Sequence, residues 1–270
     1  MTVAFQILGL TLVLLAAQAV VCRAGKWVVW GLFAAVPVVL LPSWVLLNQF
    51  DPFLWTKIFT IFACNVWGAA VRHTPLGKYE WARRSLPLLV AVNILEAMAV
   101  DLAAGGVAHL LNSAAGLGLV LTLPYRRDAV RVADTPGRDV RVPTSRGWVV
   151  GYTLWNWAFV LMNYPEYVGY HTAVLVSALA VGLIDPARWT QTRAATLGLN
   201  FLMMATCDAP MRAWLGTASW ADPILALCVA GAAVVVAVGC GVQPVFGLVG
   251  RMRLRTAGLL TVHGYRMYQI

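Results

Sequence analysis

Charge is scarce in this chain. Asp, Glu, Lys and Arg make up 11% of its 270 residues while 60% are hydrophobic, whereas roughly a quarter of a soluble domain is charged. Too few amphipathic helices are present to wrap a water-soluble all-helical core, which argues against an ordinary soluble fold. Acidic groups are the rarer sign, 11 against 20 Lys and Arg, for a net charge of +9. The Lys and Arg sit in short loops between apolar runs, so they orient the chain in an anionic membrane and imply no nucleic acid. The five cysteines, Cys22, Cys64, Cys207, Cys228 and Cys240, show no CxxC or zinc spacing and read as packing residues without a disulfide framework.

Familiar catalytic signatures are missing as well. The absence of a GxxxxGK[ST] loop argues against direct ATP drive, and HExxH, GxSxG and a histidine cluster for a di-iron oxygenase are all lacking. The three lysines, Lys26, Lys57 and Lys78, lie away from the centre of any late helix, which disfavours a retinal pigment. No cofactor and no metal are implied.

Apolar length is what the chain has in abundance. Nine runs approach the ~20 residues needed to cross the hydrocarbon core. They cover 3–22, 27–48, 54–71, 85–101, 106–123, 147–163, 168–184, 194–208 and 222–242. The expected fold is an all-α, polytopic integral membrane protein of about nine transmembrane helices.

Alternate loops then separate by charge. Arg23, Lys26, Arg72, Lys78, Arg83, Arg84, Arg126, Arg127, Arg131, Arg138, Arg141, Arg146, Arg188, Arg193, Arg251, Arg253, Arg255 and Arg266 fall on one side, leaving Lys57 and Arg212 opposite. The positive-inside rule puts the N-terminus outside and the C-terminus in the cytoplasm, most simply across a plasma (inner) membrane. The first span has a small-residue stretch, Ala16-Ala17-Gln18-Ala19, but no basic residue before it, so it reads as a retained helix and not a cleaved signal.

A parallel repeat at an offset of four spans organises the single membrane domain into halves 1–105 and 106–221, a final helix 222–242 and a basic tail 243–270. Trp27-Val28-Val29 opens the second span and Asn48 closes it, with Asp51 three residues on; Trp148-Val149-Val150, Asn163 and Glu166 repeat this in the sixth. Asn93 precedes Asp101 by eight residues, as Asn200 precedes Asp208, with Trp81 and Trp189 before those two helices. An even offset preserves membrane orientation. Residues 124–146, rich in Pro, Gly, Asp and Arg, read as an irregular linker between the halves. The tail, with Arg251, Arg253 and Arg255 before Leu259 and Leu260, reads as an interfacial helix.

Polar residues at membrane depth mark the candidate site. A buried ionisable group costs roughly 2.5–3.5 kcal/mol on insertion scales, so it faces a partner or a water-filled cavity. Glu96 lies ~7 Å deeper than Asp101 along its helix, and Asn93, Glu96 and Asp101 spread over a sector of ~140° that one lumen can see. The eighth span adds Asn200 and Asp208. The sixth adds Asn156 and Asn163, seven apart and on one face. Glu166 and His171 complete the set, and Lys57 or His171 is placed to neutralise nearby carboxylates. For a single Asn, interhelical hydrogen bonding is the ordinary role. A metal held by His109 or His171 with Asp101 or Asp208 lacks ligand spacing.

Asp51, Asp101, Glu166, Asp208 and Asp222 fall on the face opposite the basic loops and form an acidic vestibule that attracts cations. The leading expectation is a transporter or channel for a small polar or cationic solute, with the bilayer and that solute as partners. One alternative is a membrane-embedded enzyme acting on a lipid or lipid-linked substrate near the outer leaflet, with the same carboxylates as acid and base. The other is a non-catalytic receptor or assembly subunit with a dry interior.

Overall fold

The computed structural model describes residues 2–126, 128–134 and 137–240. Nine main helices run through them: α1 Val3–Arg23, α2 Lys26–Leu47, α3 Pro52–His73, α4 Glu80–Ala104, α5 Val107–Leu121, α6 Arg146–Asn163, α7 Val168–Ile184, α8 Trp189–Leu215 and α9 Pro223–Cys240. Each apolar run of the sequence is represented by one of them. Six (α1 to α4, α7 with its leading turn, and α9) are long and apolar enough to cross a membrane. The protein is an all-α membrane protein. Its outer surface agrees, since Leu46 is 84% exposed and Ile184 81%, an arrangement that lipid tolerates and water does not. The tail 243–270 and its reading as an interfacial helix lie outside the described residues.

Local chemistry sets the helix ends. Asp51 accepts a hydrogen bond from the Leu54 amide at 2.8 Å ahead of Pro52, whose missing N–H costs nothing in a first turn. Ser145 caps α6 through the Trp148 amide at 3.1 Å. Gly105 and Gly106 have φ of 71° and 86°, a left-handed pair that reverses the chain tightly between α4 and α5 and disfavours a side chain.

The helices α7 and α8 form the centre of the bundle. α1 packs on both, α3 on α8 and α6 on α7, while α4, α5 and α6 follow one another around the side. α9 lays a stripe of buried alanines (Ala226, Ala230, Ala233, Ala237) along the bundle. A Cβ on Gly118 of α5 would stand 3.2 Å from Ala237, and one on Gly151 of α6 would stand 3.2 Å from Val236. Small residues are what allow helices to approach this closely in a membrane.

Two helices are irregular where they face each other. α2 opens into a wide turn at Gly31–Ala35, just before Pro37. The turn presses Phe33 against α8 at Gly198, where an added Cβ would lie 2.6 Å from the ring. α8 breaks at Cys207 (φ −134°, ψ 39°), one turn ahead of Pro210. A proline lacks the amide that would continue the ladder and clashes with the preceding turn. Asn48 takes the nearby Ala205 carbonyl at 2.8 Å, a side-chain replacement of the kind that makes kinks tolerable in lipid.

The expected linker 124–146 is more ordered than an irregular loop. Arg131–Val132 and Val140–Arg141 pair antiparallel, and Val130, Val140 and Val142 bury against Val71, Ala82 and Leu86. The Val142 amide bonds the Ala187 carbonyl at 2.8 Å, and Arg141 pairs with Asp185 at 2.9 Å. This hairpin caps the basic end of the bundle. Alternating valines supplied the strand signal, and Pro, Gly and Arg obscured it. Arg72, assigned from sequence to the loops, belongs to the last turn of α3; it is 4% exposed and donates to the carbonyls of Cys22 and Gly137.

Candidate functional site

Four polar clusters sit between the helices. In the first, Lys57 of α3 is 6% exposed and its Nζ lies 2.6 Å from Glu96 Oε2 of α4. It also donates to the side-chain and backbone oxygens of Asn93, at 2.8 and 2.9 Å. In the second, Asn156 Oδ1 of α6 accepts from His171 Nε2 of α7 at 2.6 Å and from Arg193 Nη2 of α8 at 3.3 Å. Tyr152 joins these two clusters. Its hydroxyl accepts from Asn93 Nδ2 at 3.3 Å, and the Arg193 guanidinium lies 5.7 Å from its ring centroid. A polar relay thus runs from Glu96 to His171 through α4, α3, α6, α8 and α7.

The other two clusters lie toward the acidic end. Asp101 of α4 is fully buried. His109 Nδ1 and Asn163 Nδ2 reach its Oδ1 at 2.9 and 2.8 Å, and Asn112 Nδ2 reaches Oδ2 at 2.7 Å. Amide donors neutralise the carboxylate by hydrogen bonding and are poor neighbours for a metal. Among the described residues no group of three or more His, Cys, Asp and Glu is positioned to hold a metal ion. Asp208, just past the kink of α8, pairs with Arg212 at 2.7 Å.

A cavity of about 60 Å³ lies against the relay. Lys57, Asn93, Asn156, His171, Arg193 and Asn200 supply its polar lining. Phe53, Tyr164 and Tyr167 stand toward the acidic end, with Phe53 and Tyr164 stacked at 5.9 Å between centroids. The Tyr164 hydroxyl donates to Asp51 Oδ2 at 3.0 Å. Burial, and then that carboxylate, hold the Tyr164 phenol well above its ordinary pKa, so it stays a donor.

A second cavity, of about 100 Å³, lies toward the basic end between α1, α3, α4 and α8, with Cys22, Arg72 and Gln191 in its wall. The two cavities share Asn93, Arg193 and Leu197. Those three residues form a wall common to both.

Several buried polar atoms along this wall lack a protein partner. Arg193 is 4% exposed, Asn200 2% and Tyr170 2%. Arg193 Nε and Nη1, Asn200 Oδ1 and the Tyr170 hydroxyl have no hydrogen-bond partner among the described residues. All three side chains line the acidic-end cavity. Buried polar groups are ordinarily satisfied by protein or by ordered water, so each of these atoms has capacity for a further partner.

The structure brings together Asn93, Asn156, Asn200 and His171 of the residues singled out from sequence, with Glu96 held behind Lys57. It puts Asp101 and Asn163 in a separate cluster, leaves Asp208 with Arg212, and sets Glu166 half-buried in the turn Pro165–Tyr167. Sequence reasoning missed Arg193, counting it as a loop charge. Pro186 is the signal that would have found it. A proline opens the turn Pro186–Arg188 leading directly into α8, which puts Arg193 inside the helix and, seven residues on, Asn200 on the same face.

A family model described as a family of unknown function (DUF5692) matches residues 1–251. No curated protein and no solved structure matches the chain.

Proposed function

We propose that this chain, which belongs to the DUF5692 family, is a membrane transporter that moves a small polar solute past the Asn93–Arg193–Leu197 wall. One observation carries the reading: two cavities, one toward each end of the bundle, have Asn93, Arg193 and Leu197 as a common wall. A packed subunit has no use for paired cavities, and a channel would join them. A transporter opens them alternately around a central site. In this reading α5, α6 and α8 also span the bilayer, for nine spans in all. α6 and α8 are less apolar because they carry Asn156, Asn163, Arg193, Asn200 and Asp208. The loop charges support an outside N-terminus and a cytoplasmic C-terminus. The 4+4 repeat rests on residue spacing alone, since α1 packs on α7 and α8 while its counterpart α5 packs on α4 and α6.

The internal partners bear on the charge of the solute. Glu96, Asp101 and Asp208 are each engaged by groups of the protein, which weakens the case for cation capture. The same engagement weakens the case for Glu96, Asp101 and Asp208 as acid and base toward a lipid. Reconstituted protein is expected to accumulate at least one class of small solute saturably from a panel of anionic, zwitterionic and cationic compounds. Asn156→Ala, which removes the acceptor shared by His171 and Arg193, is expected to lower that uptake at least tenfold. Uptake indistinguishable from empty liposomes across the whole panel would refute transport.

A further inference from the structure

We propose that the solute is a small monoanion, a carboxylate on an apolar body, with its carboxylate on Arg193. This inference rests on reading the acidic-end cavity as the solute site. Charge counting comes first. Two cations line the cavity, Lys57 and Arg193. Lys57 already holds Glu96 at 2.6 Å. Arg193 has no carboxylate within ion-pairing distance among the described residues, although it is 4% exposed. One uncompensated positive charge therefore remains, at a depth where an unpaired charge is unfavourable. A single negative charge on the solute completes it.

Geometry narrows the anion. A guanidinium presents two forks, Nε with Nη2 and Nη1 with Nη2, each matched to the two oxygens of a carboxylate. Nη2 gives one hydrogen to Asn156, while Nε and Nη1 are unpartnered. Nη2 has a second hydrogen, so whichever one Asn156 takes, a complete fork stays open. Tyr152 lies beneath the guanidinium face and holds the plane of the fork. The unpartnered Tyr170 hydroxyl is a further donor on the same cavity wall.

The rest of the lining selects the body. Phe53, Phe159, Phe201, Leu197 and Met204 surround the polar patch, and desolvated apolar walls favour a hydrocarbon or aromatic group over a second charge. Inorganic phosphate offers no such group, and its higher charge exceeds the one available countercharge. A small carboxylate with a ring or short chain satisfies both halves of the cavity.

The test uses the full chain purified in detergent, with phenylacetate as probe and benzyl alcohol, benzylamine and inorganic phosphate as controls. Phenylacetate is expected to raise the unfolding temperature saturably, and the three controls are not. Arg193→Gln is expected to weaken phenylacetate at least tenfold, while Arg193→Lys keeps the preference for phenylacetate over benzyl alcohol. A measurement on the unmutated protein guards against a misfolded variant. Phenylacetate should protect Arg193 from phenylglyoxal, read by peptide mass, with Arg146 modified as before.

Preference for benzylamine or phosphate, an Arg193→Gln variant that binds phenylacetate normally, or no protection at Arg193 each overturns the proposal. The two readings fail separately. Phenylacetate binding without uptake of any solute in proteoliposomes removes transport and leaves the anion site. Saturable uptake of a cationic solute without phenylacetate binding removes the anion site and leaves transport.

Discussion

Asp101 shows how a buried charge is kept quiet. It is fully buried, and three donors from two other helices converge on its two oxygens. Removing one side of such a cluster leaves the donors unpaired in a low-dielectric interior, at about 3–5 kcal/mol. Asp101→Ala is therefore expected to lower stability by that order, read as a fall in the unfolding temperature in detergent. An unchanged midpoint would mean that these donors find other partners. Arg193 is the opposite case, a buried cation whose protein partners are incomplete. Sequence put Asp101 at a helix end and Arg193 in a loop. It did not reveal the pairing of either, because partners on other helices are invisible along the chain.

Among the elements, α8 decides the most. Its second turn contributes Arg193, its middle Gly198 and Asn200, and its kink sets Asp208 against Arg212. Gly198 is the contact point of three helices, since a Cβ there would stand 2.6 Å from Phe33 of α2 and 2.8 Å from Asn65 Nδ2 of α3. Overpacking of this kind costs about 1–3 kcal/mol. Gly198→Ala is expected to destabilise by that amount and, by shifting the wall that carries Arg193, to weaken solute uptake as well. A variant of normal stability and uptake would show that Phe33 moves aside freely. Pro37 and Pro210 each follow one of the two irregularities. The wide turn lies ahead of Pro37 and the break at Cys207, because strain relaxes where neighbouring helices leave room.

For the whole molecule, the two ends carry different devices. At the basic end the paired strands Arg131–Val132 and Val140–Arg141 and Arg72 fold over the bundle, and at the acidic end short turns and aromatic rings surround the cavity. Orientation across the membrane is directly testable. In intact cells an impermeant maleimide is expected to label Gln49→Cys, on an exposed acidic-end turn, and to spare Asp134→Cys at the basic end until the cells are opened. The reverse pattern would invert the topology.

Composition and hydropathy by themselves determined a great deal here. Scarce charge and long apolar runs dictate membrane helices, and proline, glycine and capping residues mark most of their ends, because each of these effects acts within a few residues of chain. Tertiary structure alone decided which polar groups meet. Lys57 finds Glu96 and Arg141 finds Asp185, while Arg193 faces a cavity with no carboxylate partner among the described residues. Those outcomes depend on which helices are neighbours, and long-range packing sets that.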